Sequence, residues 1–470
     1  MMHGNAQWNY GHYQPVDRSD RNRPYINHII PRQDGALVRW DDESGVGGMY
    51  VLSWRNVQTG ECGQKTFSGH QGVLEGLLPG NDYRIRVRNT SNDQSSDSRM
   101  LRCGTACGRV VNYLHPRDDA YRCSGRFLAS PSLARTPSGA LIVSMDVFEW
   151  HGGQNLTLLF ESHDGGETWQ HLTELFPCFW GVLFMHHGVL YELAMSTEYG
   201  DLIIGASYDE GESWTAPVRL FPGSGNGDVG GLHKAPAPVI EADGRLVTAI
   251  DYGSWESGGL RQALLSVDVS ANLLDPGSWR LGEFCDPRQD LLSREGLVAG
   301  GLEGNAVLGP DGHVYDLLRL QMNGGAARFG KALLLESDEH MTALRYRSVV
   351  DFNGGSNSKF FVIFDAVTCR YWAVANEIVD ADRPGARTVL SLSVSSDLRS
   401  FVNVHRVVDF SACDDAFVAA QYPSALIDGD DLLIVSRTAV NGADSYHNSN
   451  YITFHRVHDF RGLVHEERGK

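Results

Sequence analysis

The sequence is poor in cysteine, in positive charge and in long apolar runs, and each shortage closes off a class of function. Eight cysteines in 470 residues show no paired CxxC spacing. Mostly reduced, buried thiols are therefore expected rather than a zinc ribbon or a disulfide framework, with one or two bridges in the region Cys103 to Cys123 an option only for an exported protein. Lys and Arg number 40 against 58 Asp and Glu, a net charge of −18, and nowhere do the cations form a stripe. Nucleic acid is thus not an expected partner. An anionic substrate is still compatible, because a few cations focused in a cleft reverse the local potential. No stretch reads as a signal peptide or is long enough to span a bilayer, so no membrane partner is expected. The chain as written is expected to be cytoplasmic, or secreted if a leader precedes it; its oligomeric state is not legible. No set of His, Cys and carboxylates has metal-ligand spacing, so the expectation is no cofactor and no metal, and a structural divalent cation cannot be read from sequence. Convincing helical periodicity is missing as well, which points to an all-β chain.

What is present falls into two regions behind an N-terminal extension, residues 1–23. Over 24–104, short runs alternate apolar and polar residues: ALVRW at 36–40, YVLSW at 50–54 and YRIRVRN at 83–89. These are strands with one wet face. The segment LEGLLPGNDYRIRVRN couples a Leu-rich turn to a strand whose Tyr83, Ile85 and Val87 point inward. This region resembles a fibronectin type III domain, with Trp40 as its core tryptophan and Tyr83 opening the sixth strand. Such modules space or dock a neighbour, so no chemistry is assigned to it.

Over 105–470 one unit recurs: an apolar strand, a Gly-centred turn, a second apolar strand, a gap and a third strand. The clearest signature is a turn spelled SHDGGETW at 162–169 and SYDEGESW at 207–214. In each, the Asp carboxylate can accept from turn N–H groups, the Gly permits a left-handed backbone, and the Trp covers the hairpin. A catalytic Asp would demand two identical sites, so Asp164 and Asp209 are read as architectural. Six units recur every 45 to 70 residues. Repeats of four-stranded units at that period indicate a β-propeller.

The two turns match the Asp-box of the sialidase superfamily. A sialidase opens its propeller with a Phe-Arg-Ile-Pro motif whose Arg grips the substrate carboxylate. RFLASPSL at 126–133 puts Ala129 or Ser130 there instead, which argues against sialic acid cleavage. ASPSL (129–133), HKAPAPVIEADGRL (233–246), LEGNAV (302–307) with LLRL (317–320), GGSNSKFFVIFD (354–365) with YWAVANE (371–377), and DDLLIVSRTA (430–439) with HNSNYITFHRVHDFR (447–461) are similar to the ulvan lyases, rhamnose–glucuronate lyases and related rhamnosidases. That resemblance implies seven blades, against six visible repeats, with residues 105–125 available for a further blade. It also implies a glycan substrate containing a uronic acid, cleaved by β-elimination. Two departures stand out: Ser144-Met145-Asp146 where a Ser-His-Asp is expected, and Gly205-Ala206 where an Arg is expected. They imply a relocated site, a changed reaction or lost activity.

β-Elimination needs a base, a cation or donor for the enolate-like charge, and an acid for the departing oxygen. Polar residues interrupting apolar strands are the places to look. His233, Tyr451 and Arg319 are the expected catalytic groups, and Asn305, Lys359, His447 and Asn450 the expected substrate contacts. Arg319, inside LLRL, calls for a carboxylate such as Glu303 or for a ligand. Lys359 is expected to point at a ligand or at Asp365, and His151 is a stand-in for the missing histidine. His186 and His187 read as exposed turn residues, and His455 and Arg456 as structural. A second reading is a glycoside hydrolase drawing its carboxyls from Asp146, Asp251, Glu303 and Asp365. A third is a glycan-binding propeller without chemistry. His233, Asn305, Arg319, Lys359, His447 and Tyr451 are expected to share one funnel, with the two Asp turns on the outer rim.

Overall fold

The computed structural model describes residues 4–9, 22–254, 259–322, 330–352, 358–413 and 415–464. Of the Gly-rich run before Lys359, residues 353–357 lie outside them.

The repeating units fold into six antiparallel blades arranged as a β-propeller. Their innermost strands are Phe127–Arg135, Phe179–His186, Gly231–His233 with Ile240–Ala242, Ala299–Leu308, Phe361–Asp365 and Ala419–Asp428. The fourth and fifth blades are tied edge to edge where Asp351 and Phe352 pair in parallel with Ser400 and Phe401. The last blade has only three strands of its own. Its fourth is Arg109–Tyr113, which pairs antiparallel with Tyr451–Val457 and so closes the ring with a segment from the propeller's own start. Pairing across the ends of the chain holds the ring shut, and the radial arrangement leaves only short, protected strand edges. The segment expected to feed a seventh blade is therefore spent on the sixth, and the described residues hold six blades.

Within the extension at residues 1–23, the described strand joins the propeller. Gly4–Asn9 adds a parallel fifth strand to the first blade. Trp8, fully buried, donates from Nε1 to Pro177 O at 3.1 Å and packs edge-on against Trp214 at 5.6 Å. A Cβ on Gly205 would sit 2.1 Å from the Trp8 ring. That explains the missing arginine: no side chain fits at 205. Met145 is likewise committed to packing, buried in the core of the first blade.

Both Asp turns are fastened identically. Asp164 accepts from Thr168 N (2.9 Å) and Oγ1 (2.6 Å), Ser162 Oγ accepts from Gly166 N, and Trp169 Nε1 donates to Gly166 O. Asp209, Ser207, Gly211, Ser213 and Trp214 repeat the pattern. Gly166 and Gly211 both have φ near +100°, where a side chain is strained.

Residues 25–102 form a sandwich of a three-stranded and a four-stranded sheet around Trp40, Leu52, Ile85 and Val87. The Tyr83 hydroxyl accepts from Leu78 N at 2.7 Å, holding the corner before its strand. The sandwich is joined to the propeller by buried charge. Arg99 pairs with Asp118 at 2.8 Å, and Asp82 is clasped by Arg102, His115 and Arg117. All eight cysteines are free.

Candidate functional site

Four of the six innermost strands carry a register shift, and at each one a residue other than glycine is forced to positive φ: Ser130 (46°), Trp180 (52°), Glu303 (57°) and Tyr422 (50°). A bulge of this kind re-aims one side chain out of the ladder, and strained backbone of this type clusters where a site is built. All four side chains turn into one cavity on the propeller axis. Phe148, Trp150, Glu198, His233, Lys359, Arg437 and His447 complete its walls. Every blade contributes to it.

The residues just after the bulges hold neighbouring blades together. Ser132 Oγ accepts from Leu183 N, Ser424 Oγ from Leu133 N, and Asn305 Oδ1 from Val362 N. Asn305, fully buried, is therefore a strap between blades and not a substrate contact.

Arg319 Nη1 donates to Glu303 Oε2 at 2.8 Å and to the Tyr422 hydroxyl at 3.2 Å, and its Nη2 donates to Gln321. Burial would push the Glu303 carboxyl up, but Arg319 and His233 beside it hold it below its ordinary value. The Tyr422 ring lies between two further guanidiniums, Arg437 at 4.6 Å and Arg387 at 5.3 Å. Arg387 also donates to Gln421. Arg437 is different. It is 4% exposed, it stacks on Phe148 and Tyr422, and it makes no hydrogen bond or ion pair with any described residue. Burial lowers its pKa to about 10, so it stays a cation at neutral pH.

His233 sits directly opposite Asp251 in the third blade, Nδ1 3.3 Å from Oδ2, with Trp180 covering the ring at 4.2 Å. The same Oδ2 accepts from Glu303 N at 2.9 Å. Lys359 Nζ donates to Pro423 O at 2.7 Å, and burial lowers its pKa to about 7. It turns away from Asp365, which is held instead by Arg461. Burial and the arginines Arg437 and Arg387 drive His447 down to about 3, so it remains neutral.

His233, Lys359 and His447 thus reach the cavity, and Arg319 stands behind Glu303 and Tyr422. Tyr451 and Asn450 do not reach it. They open the third strand of the last blade, away from the axis, because inner position goes to the first strand of each blade. Tyr451 packs on Tyr113 at 4.8 Å between propeller and sandwich, and its hydroxyl accepts from Asn441. Asn450 is spent on both backbone groups of Val440. His151 is exposed on the loop beside Trp150, which is itself 52% exposed at the cavity mouth. Of the carboxylates Asp146, Asp251, Glu303 and Asp365, only Glu303 lines the cavity; Asp146 lies beneath Trp180, accepting from its N–H and from Thr157. Among the described residues no three His, Cys, Asp or Glu side chains converge as a metal-ligand set.

No family model matches the chain, and neither does any curated protein. Solved structures do. An α-L-arabinanase from Penicillium chrysogenum, solved with arabinobiose, superposes with a TM-score of 0.51 at 11% identity, over 76% of this chain and 98% of that one. A Hadza microbial sialidase gives 0.51 at 13% identity, over 94% and 99%. Trypanosoma rangeli sialidase, in complex with the inhibitor DANA, gives 0.50 at 13%, over 77% of this chain and 60% of that one. The fold is a β-propeller similar to those of these enzymes. Within that propeller the residues unread in the sequence are Tyr422, Arg437, Arg387, Trp180 and Glu198. Arg437 had a usable signal, being a lone cation inside the apolar strand Asp431–Ala439.

Proposed function

We propose that the protein is a glycoside hydrolase acting on a glycan that carries an acidic sugar. The observation that carries this reading is Arg437: a buried guanidinium with no hydrogen-bonded or ion-paired carboxylate among the described residues, lining a cavity with a tyrosine and a glutamate. An uncompensated buried charge is costly, and a substrate carboxylate would relieve the cost. Tyr422 is read as the nucleophile and Glu303 as the group that takes its proton, a tyrosine-based variant of retaining hydrolysis. Charge developing on the Tyr422 oxygen would meet Arg319 directly. The departures at Met145 and Gly205 fit packing constraints and do not touch this constellation. That the propellers of similar fold include glycan-processing hydrolases supports the reading. The sandwich at 24–104, with the strand grouping and the Tyr83 corner of a fibronectin type III-like module, is read as a docked spacer.

The same cation would also serve β-elimination beside a uronate carboxylate. The test is product mass across a panel of glucuronate-, rhamnose–glucuronate- and sialic acid-terminated glycans. Hydrolysis yields fragments that together exceed the substrate by one water. Elimination yields no added water and an unsaturated uronate absorbing in the far ultraviolet, and that outcome would replace the hydrolase reading with the lyase one.

A further inference from the structure

Hydrolysis at this site needs a proton for the departing oxygen, and Tyr422 and Glu303 are already engaged with each other's chemistry. We propose that His233, held by Asp251, is that acid and then the base toward the incoming water. The proposal rests on the hydrolase reading.

The strand that carries His233 is three residues long, Gly231–His233, and its register partners among the described residues are Gly253, Tyr252 and Asp251. Its last residue faces the Asp251 carboxylate across the ladder. Nδ1 is shut away from solvent 3.3 Å from Oδ2, within ion-pair range but not aligned as a hydrogen bond, and it has no other partner among the described residues. Nε2 is therefore the nitrogen left for the cavity. A carboxylate this close to Nδ1 favours the tautomer that leaves Nε2 to exchange the proton with a bound substrate. Asp251 also takes the amide of Glu303, so one carboxylate sets the position of both the proton donor and the group beside the nucleophile. The charged groups around the ring and its partner are Asp251 on its own sheet, with buried Lys234 and Asp316 acting on that carboxylate, and Glu303 from the fourth blade, with Lys359 facing Glu303 from the fifth.

In the first step the Tyr422 oxygen bonds to the anomeric carbon and passes its proton to Glu303. The glycosidic C–O bond breaks with its electron pair on the leaving oxygen, which takes the Nε2 proton. In the second step water adds to the anomeric carbon and gives a proton to Nε2. The bond to Tyr422 breaks with its pair on the phenol oxygen, which recovers its proton from Glu303.

The experiment compares N-acetylneuraminate and glucuronate bearing either a sugar or a 4-nitrophenyl aglycone. His233→Ala should lose about 10²- to 10⁴-fold in kcat on the sugar aglycone, and far less on nitrophenyl, which departs without a proton. It should also lose one limb of the pH–rate profile. His233→Gln serves if the alanine variant does not fold. Asp251→Asn should displace the same limb with a partial loss, as expected of a positioning residue. Equal losses on both aglycones, or the leaving-group dependence appearing in Glu198→Gln instead, would overturn the assignment and leave the hydrolase intact. A wild-type protein inert on every substrate would remove both.

Discussion

Arg319 donates through a single nitrogen, Nη1, to the Glu303 carboxylate at 2.8 Å and to the Tyr422 hydroxyl at 3.2 Å. One buried cation thus binds the two strained bulges of the fourth and sixth blades into one device. Removing either partner has a different consequence. Tyr422→Phe deletes an oxygen and leaves the ion pair whole, so turnover should fall by at least about 10³-fold with little change in thermal midpoint. Glu303→Gln should abolish turnover too, but it removes the charge that pairs with buried Arg319 and should cost about 3–5 kcal/mol. Kinetics and thermal unfolding on the two variants separate these effects; equal destabilisation would contradict the arrangement.

Arg437 has no such partner. Replacing it with Met removes an uncompensated buried charge while keeping the stem against Phe148 and Tyr422. The thermal midpoint should stay level or rise. A clear fall would mean that the guanidinium is compensated within the protein, and the case for an anionic ligand would weaken.

Burial raises the Asp146 carboxyl to about 7. The folded protein keeps this proton where the unfolded chain, near its ordinary value of about 4, has released it. The contribution to stability is fully present below about pH 4 and declines as pH rises toward 7, by at most about 1.4 kcal/mol per pH unit. Asp146→Asn should flatten that part of the stability profile in urea titrations between pH 4.5 and 7. An unchanged slope would show that Asp146 ionises as an ordinary carboxylate.

Trp8 belongs to the propeller although it precedes the sandwich. Trp8→Ala should cost about 3–5 kcal/mol through the cavity left against Trp214 and Gly205. Unfolding that leaves the midpoint unchanged would show that the strand Gly4–Asn9 is dispensable.

The propeller was legible because its turns are spelled by local chemistry. Asp164 and Asp209 bond within their own turns, so the pattern needs no distant partner. Six units were visible in the same repeats although the resemblance favoured seven blades, and the closing strand at Arg109–Tyr113 that settles the count was not legible, because its partner lies more than 330 residues on. Arg319 could be flagged as a cation in an apolar strand, and its pairing with Glu303 followed. Arg437 in LLIVSRTA carries the same anomaly and went unread. Tyr422 has no local mark: a tyrosine at positive φ is forced by the bulge, and nothing in AQYPSA announces one. Tyr451 was misplaced because strand alternation tells which face a residue takes, not which strand of a blade lies at the axis.

The central claim is that the cavity is built for an anionic sugar, and titration calorimetry on Tyr422→Phe, in which the hydrolase reading predicts turnover too slow to interfere, tests it most directly. Glucuronate and N-acetylneuraminate should bind, glucose should not, and adding Arg437→Met should weaken the acidic sugars at least about 10-fold, the loss of one charge-assisted contact. Equal affinity for glucose and glucuronate, or acidic-sugar binding indifferent to Arg437, would contradict the account.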